Sequence, residues 1–349
     1  NKIGDRHARP ERGMITRPSS AEVYEYRNHI DNKMKEYFQM KPKSDVLRLI
    51  ELGIHHEQQH QELLITDIKH AFSRNPLFPK YREPFSVKGL SVSESNWLDH
   101  PGGLVEIGYS GEKFIFDAEG PRHKIWLEPF CLAKNPVSNR EYINFIEDGG
   151  YKKAEFWLSD GWTLCQKEHW ESPMYWYKNG DGTWSYYTMS GIIPINLNAP
   201  VCHVSYYEAD AFARWSNARL PRESEWEIIA KSFDIEGNFA DSNIFAPQPS
   251  TKDGVTQIYG DVWEWTQSSF AAYPGYQIAD GAIGEYNGKF MSGQMVLRGG
   301  SCASSSDHIR ASYRNFFPPS ARWQFSGIRL AKDKSCLLYT SPSPRDTNP

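Results

Sequence analysis

The 349-residue chain has room for two domains, or for a small helical unit attached to a larger domain. A formal net charge of -4 and a pI near 6.3 leave no basic excess of the kind that neutralising nucleic-acid phosphates demands, so no nucleic-acid partner is expected. Mean hydropathy is -0.63 and no run approaches the ~18 consecutive apolar residues of a membrane span. A cytoplasmic protein without a membrane partner is expected.

The two ends read as unnatural. The chain opens at Asn1 and runs into the polar string Asp5 to Arg12, which reads as the interior of a domain. Residues 334–349 change composition abruptly and read as a non-native tail. From Ser20 to Met40, Val23, Tyr26, Ile30, Met34 and Tyr37 recur near helical spacing, and Ser19 with Glu22 has the spacing of a capping box. Lys41-Pro42-Lys43 breaks that helix. Ser44 can cap a second one running to about Phe72, with Val46, Leu49, Ile50, Ile54, Leu64 and Ile68 expected to be partly buried. Two helices cannot enclose a bundle core. Residues 1–74 therefore read as part of a helical domain, and the proline-bearing stretch 75–96 as a linker.

Beyond Trp97, β-like runs at Leu104–Ile107 and Lys124–Leu127 alternate with turns at Gly102-Gly103 and Asp148-Gly149-Gly150. Helices are expected near Ser138–Ile146, Tyr206–Asn217 and Arg222–Lys231. Residues 97–333 thus form an α+β domain, and 12 Trp point to one rich in irregular loops. The five cysteines (Cys131, Cys165, Cys202, Cys302 and Cys336) form no CxxC pair and are expected to be reduced.

The strongest chemical signal lies in the second helix. His56 and His60 are four apart, which on a helix places both imidazoles on one face, within reach of one metal ion. Gln59 borders that face, Glu62 is placed to orient an imidazole, and His55 faces elsewhere. Three readings remain open on spacing. The face can simply meet solvent. His56-Glu57-Gln58-Gln59-His60 also matches the H-E-x-x-H pattern of zinc peptidases, although Leu63 and Thr66 stand where the metzincin extension needs Gly and His. Two imidazoles with open positions equally suit iron(II) and oxygen chemistry.

Five strings carry a resemblance. They are Pro200-Val201-x-x-Val204-Ser205, Arg219-Leu220-Pro221-x-Glu223-x-Glu225-Trp226-Glu227, Gly260-Asp261-Val262-Trp263-Glu264-Trp265-Thr266, Val296-Leu297-Arg298-Gly299-Gly300-Ser301 and Phe325-Ser326-Gly327-Ile328-Arg329-Leu330. Together they resemble the formylglycine-generating-enzyme type of domain, which has a C-type-lectin-like fold. His56-x-x-x-His60-x-Glu62 resembles the ligand helix of DinB-like bundles. Only Cys302 follows the Arg-Gly-Gly-Ser string, which disfavours formylglycine chemistry, since that activity uses a cysteine pair. The joint architecture is similar to the ergothioneine-biosynthesis sulfoxide synthases, and Asp5–Gly13 and Arg314–Pro319 share the likeness.

That resemblance implies an iron(II)- and O2-dependent oxidoreductase forming a C-S bond between hercynine and cysteine or γ-glutamylcysteine. His56 and His60 would be metal ligands, with a third histidine and a tyrosine pair expected upstream of Asn1. The chain as it stands is therefore expected to bind iron weakly and not to turn over. Gln59, Asn315 and Phe316 would contact hercynine, and Arg9 and Arg12 would clamp the donor's carboxylate. Phe317 and Ala321 stand where one branch of the family carries the Asp and Arg that bind γ-glutamylcysteine, which favours free cysteine. Tyr286 is a candidate proton donor. Arg219, Glu225, Trp226, Asp261, Trp263, Glu264, Arg298 and Arg329 read as internal ion pairs and packed indoles. The alternatives are an ovothiol- or selenoneine-type synthase, or a non-catalytic lectin-like binding module.

Overall fold

The structure, a computed structural model, describes Ala8, Glu11, Met14 and residues 16–84, 97–278 and 287–334. It divides into two compact units, Asn1–Ile54 and His55–Pro349. The boundary falls inside a helix, upstream of the proline-bearing stretch that reads as a linker in the sequence.

Helix α1 (Ser20–Gln39) starts at the expected capping box: Ser19 Oγ accepts from the Glu22 amide at 3.3 Å, and the Glu22 carboxylate accepts from the Ser19 amide at 2.8 Å. None of its residues is buried. Helix α2 (Ser44–Ser73) follows after Lys41, which takes a left-handed φ of 53°, and Pro42. The burial expected for α2 holds in half: Val46, Ile50 and Ile68 are half-buried as expected, but Leu49, Ile54 and Leu64 are exposed, and the fully covered residues are Glu62, Thr66, Lys69 and Ser73. Their spacing of four, three and four is helical, so one face is buried as anticipated, but it is a polar one.

In the larger unit the strands are short. In chain order they and the intervening helices are β1 (Trp97–His100), β2 (Gly103–Ile107), β3 (His123–Leu127), β4 (Phe130–Ala133), α3 (Asn139–Glu147), α4 (Ser159–Lys167), β5 (Trp176–Lys178), β6 (Trp184–Thr188), β7 (Gly191–Pro194), α5 (Tyr206–Trp215), α6 (Glu223–Ala230), β8 (Trp263–Ser269), β9 (Met295–Arg298), β10 (Asn315–Phe317), β11 (Ser326–Gly327) and β12 (Ala331–Asp333). Small sheets are ordered β1-β4-β12, β2-β3 and β5-β6-β7, and a four-stranded sheet is ordered β10-β9-β8-β11, with β11 parallel to β8. The mixture of helix and short strand is the expected α+β class. No helix among the described residues is long and apolar enough to cross a membrane.

Strands this short bury few apolar faces, and the motif residues supply the missing cohesion. Arg329 is fully buried. Its guanidinium donates to Glu264 at 2.9 Å and to the carbonyls of Ala133, Lys134, Thr256 and Gln257, tying three loops together. The same carboxylate accepts from Trp226 Nε1 at 2.6 Å. Arg219 forks onto Glu225 with two bonds of 2.7 Å, and Arg298 pairs with Glu227. Each of these three arginines is paired with a carboxylate, which is what makes its burial tolerable. The Arg-Gly-Gly-Ser string needs its first glycine: Gly299 has φ +101°, and a Cβ there would lie 2.8 Å from the Ile258 carbonyl. Cys131, Cys165, Cys202 and Cys302 are free thiols.

Candidate active site

His56 and His60 sit one turn apart on α2, both exposed, with Nε2 atoms 3.1 Å apart. Two nitrogens bound to one ion at about 2.1 Å each would stand about 3.0 to 3.4 Å apart for bond angles between octahedral and tetrahedral, so the pair fits a shared metal. Partial burial, and then the neighbouring His60, hold the His56 imidazole below its ordinary pKa, which favours the neutral ring that binds metal. Among the described residues no group of three His, Cys, Asp or Glu could hold a metal ion, so the structure supplies two donors. Glu57, which a peptidase would need as a base, is exposed.

The opposite side of the helix is fixed to the large domain by polar contacts. Glu62 is buried and accepts from Trp263 Nε1 at 2.7 Å, Ser301 Oγ at 2.7 Å and Ser304 Oγ at 2.8 Å. It therefore anchors the helix, and no imidazole is among these partners, contrary to the orienting role expected from sequence. Burial raises its pKa, against which the three donors act. Two turns on, Lys69 Nζ lies 2.6 Å from His203 Nε2 and over the rings of Phe325 and Tyr175. Ile65 and Ile68 pack against the cluster containing Cys202, Val262, Cys302 and Phe325.

Along the helix edge runs a hydrogen-bonded chain that sequence reasoning missed. Gln59 Nε2 donates to the Tyr313 hydroxyl at 2.6 Å, Tyr313 lies 3.1 Å from His308 Nε2, and His308 Nδ1 lies 3.0 Å from His55 Nδ1. Either neutral tautomer of His308 satisfies all three bonds: protonated at Nδ1 it donates to His55 and accepts from Tyr313, and protonated at Nε2 it donates to Tyr313 and accepts from His55. Burial, then Arg310 and His55, push the His308 pKa down to about 3, so that ring is neutral. His55 faces away from the His56/His60 pair, as expected, and stacks on Phe114 with centroids 4.1 Å apart. Arg310 spans the rings of Phe114, Phe116 and Tyr313 and pairs with Glu119 at 2.6 Å. The spacing of His308, Arg310 and Tyr313 was the available signal, but it lies in a loop without periodicity.

The remaining expected residues are placed as follows. Asn315 opens β10 and its Oδ1 accepts from the Phe316 amide at 2.9 Å. Phe316 stacks on Phe270 at 4.1 Å, Phe317 meets the edge of Trp323, and Ala321 is buried. No hydrogen bond or ring contact among the described residues joins His56 or His60 to Asn315 or Phe316; the helix reaches this segment through Gln59 and Tyr313. Arg9, Arg12 and Tyr286 lie outside the described residues.

Residues 91–253 and 246–334 match the sulfatase-modifying factor enzyme 1-like domain family. The hercynine oxygenase of Mycolicibacterium smegmatis is 31% identical over 322 residues, which cover 84% of this chain and 73% of that protein. The chain belongs to the hercynine oxygenase family. The Mycobacterium tuberculosis hercynine oxygenase is 29% identical over 94% of this chain and 81% of its own length, so the likeness extends beyond the domain match into the helical segment. A bovine inactive C-alpha-formylglycine-generating enzyme 2, by contrast, is 26% identical over 51% of the chain. Among solved structures, PvdO from Pseudomonas aeruginosa is 16% identical with a TM-score of 0.44, covering 72% of this chain and 100% of that one.

Proposed function

We propose that this hercynine oxygenase family member is an oxygen-dependent sulfoxide synthase that joins the sulfur of cysteine to the imidazole of hercynine in ergothioneine biosynthesis. The observation that carries the reading is the extent of the likeness: 94% of the chain matches a hercynine oxygenase, a span that takes in helical segment and domain together. The reaction balances without a further reductant. The imidazole C–H and the thiol S–H are lost, one oxygen atom of O2 becomes the sulfoxide, and the other leaves as water with those two hydrogens.

His56 and His60 would hold iron(II), in keeping with their paired Nε2 atoms and with the neutral ring favoured at His56. Bound iron(II) would supply the redox chemistry with dioxygen that no side chain offers. Gln59, which borders the His56/His60 face and donates to Tyr313, would orient hercynine. We assign Arg9 and Arg12 to the donor's carboxylate and Asn315 and Phe316 to hercynine on sequence resemblance, and Tyr286 to proton donation from its sequence position shortly before the Arg-Gly-Gly-Ser string. Free cysteine is the favoured donor. Phe317 and Ala321 carry no charge, and Arg322 is already committed to Glu208 at 2.8 Å, to the Ser172 carbonyl and to the face of Trp170.

The test is oxygen uptake by the full-length protein with iron(II), hercynine and cysteine, with mass analysis of the product. Uptake that depends on hercynine and yields the cysteinyl sulfoxide is expected. Uptake indifferent to hercynine would overturn the assignment, and a clear preference for γ-glutamylcysteine would overturn the choice of donor.

A further inference from the structure

We infer that Glu62 is a positioning residue, which sets the rotational phase of α2 and so the direction in which His56 and His60 present their nitrogens. The inference rests on the metal-binding reading of that pair and extends it to a residue on the opposite side of the helix. At about 100° per residue, Glu62 lies about 160° around the helix from His60 and about 120° from His56. It cannot share a ligand with them. It acts through the helix, as a pin acts on a shaft.

The choice of residue argues for this role. A leucine at the same place would bury apolar area, but apolar packing is non-directional and tolerates rotation and slippage along the axis. A carboxylate held by three donors from two directions tolerates neither, because each bond weakens steeply with misalignment. The donors are well separated in sequence. Trp263 begins β8, whereas Ser301 and Ser304 belong to the loop after β9. All three are buried and rigidly supported: Trp263 packs against Tyr313, and Ser301 receives further order from its own bond to Ser304. Trp263 and Ser301 belong to the domain's motif strings and Ser304 follows one of them, so the anchor ties the ligand-bearing turn to those buried strings. Burying a carboxylate without a cationic partner costs stability. Such a cost fits a residue that specifies geometry better than one that merely adds adhesion.

The experiment measures Co2+ binding, as a spectroscopic stand-in for iron(II), by the full-length protein. Four variants are compared with wild type: Glu62→Ala, Glu62→Gln, the double variant Ser301→Ala/Ser304→Ala, and the remote core variant Phe145→Leu. The double serine variant leaves α2 untouched, and so separates positioning from any local effect on the helix. Its Co2+ Kd is expected to rise by about tenfold or more, as is that of Glu62→Ala, with altered visible absorption of the bound ion. Glu62→Gln keeps an acceptor for Trp263 and a donor for a serine, and should stay within about threefold of wild type. Phe145→Leu should lower the melting temperature and leave the Kd unchanged. Wild-type affinity in the double serine variant would overturn the inference, as would an equal weakening by Phe145→Leu. Absence of Co2+ binding in wild type would bring down the metal reading and this inference together, whereas wild-type binding with unaffected variants removes only the role of Glu62.

Discussion

Trp263 Nε1 donates to the Glu62 carboxylate at 2.7 Å, a bond between the first residue of β8 and a helix residue 201 positions earlier in the chain. Both partners are buried. Replacing Trp263 with Phe keeps an aromatic ring in contact with Tyr313 but withdraws the indole donor, leaving a buried carboxylate with two donors instead of three. Trp263→Phe is expected to cost about 1–3 kcal/mol. Urea unfolding would show this as a lower midpoint at an unchanged slope. An unaltered midpoint would mean the bond contributes nothing.

His56 and His60 present the opposite case, since both are exposed and the role proposed for them is chemical. His56→Ala and His60→Ala should each leave unfolding free energy within about 0.5 kcal/mol of wild type, as surface substitutions do. On the proposed assignment, hercynine-dependent oxygen uptake should fall by about a hundredfold or more, because a metal site that loses one of its ligands is disabled. A variant that retains uptake removes that histidine from the ligand set.

Tyr313 joins Gln59 to His308 through one hydroxyl. Tyr313→Phe keeps the ring on Trp263 and releases the Gln59 amide. The loss of about one hydrogen bond's worth of orientation, ~1 kcal/mol, should appear as a KM for hercynine raised about fivefold, with a smaller effect on kcat. Equal loss in kcat at constant KM would place Tyr313 in the chemistry instead.

Much of the fold was legible because its signals are local. The Ser19–Glu22 box starts α1 where expected, and the same Ser-x-x-Glu arrangement starts α3 at Ser138 and α5 at Ser205. The His56/His60 pair was legible for the same reason, as helical spacing places the rings together whatever surrounds them. Helix α4 and the β5-β6-β7 sheet went unread. Leu158 caps α4 without a side-chain bond, and the aromatic run Trp184-Ser185-Tyr186-Tyr187 gives no clear alternation. The polar stripe Glu62, Thr66, Lys69 and Ser73 was invisible in principle. Polar residues at helical spacing read as a solvent face, and only the Trp263, Ser301 and His203 side chains, from distant parts of the chain, turn that face inward.

Lys69 offers a prediction whose sign can be worked out. It is 2% exposed, and burial pushes its pKa from 10.5 down to about 8, while the nearby Cys202 and Cys302 thiols act in the raising direction. Facing it are His203, whose pKa burial and the lysine charge hold low, and the rings of Tyr175 and Phe325. The folded pKa lies below the unfolded one. Between pH of about 8 and 10.5 the unfolded chain therefore binds the extra proton, and unfolding free energy rises with pH across that window. The penalty of charging the buried amine is fully present below about 8 and relieved above it. Cys202 works the other way: burial pushes its thiol up to about 12, so the unfolded chain loses that proton first and stability falls as pH rises above 9. Lys69→Met leaves Cys202 in place, so the wild-type-minus-variant difference reports the lysine together with its charge coupling to that thiol. That difference, measured by urea unfolding from pH 7 to 10.5, should be flat at the lower end and grow in favour of wild type from pH 8 upward. A difference that stays constant through pH 10 would mean Lys69 titrates normally, and that water reaches its ammonium beside His203.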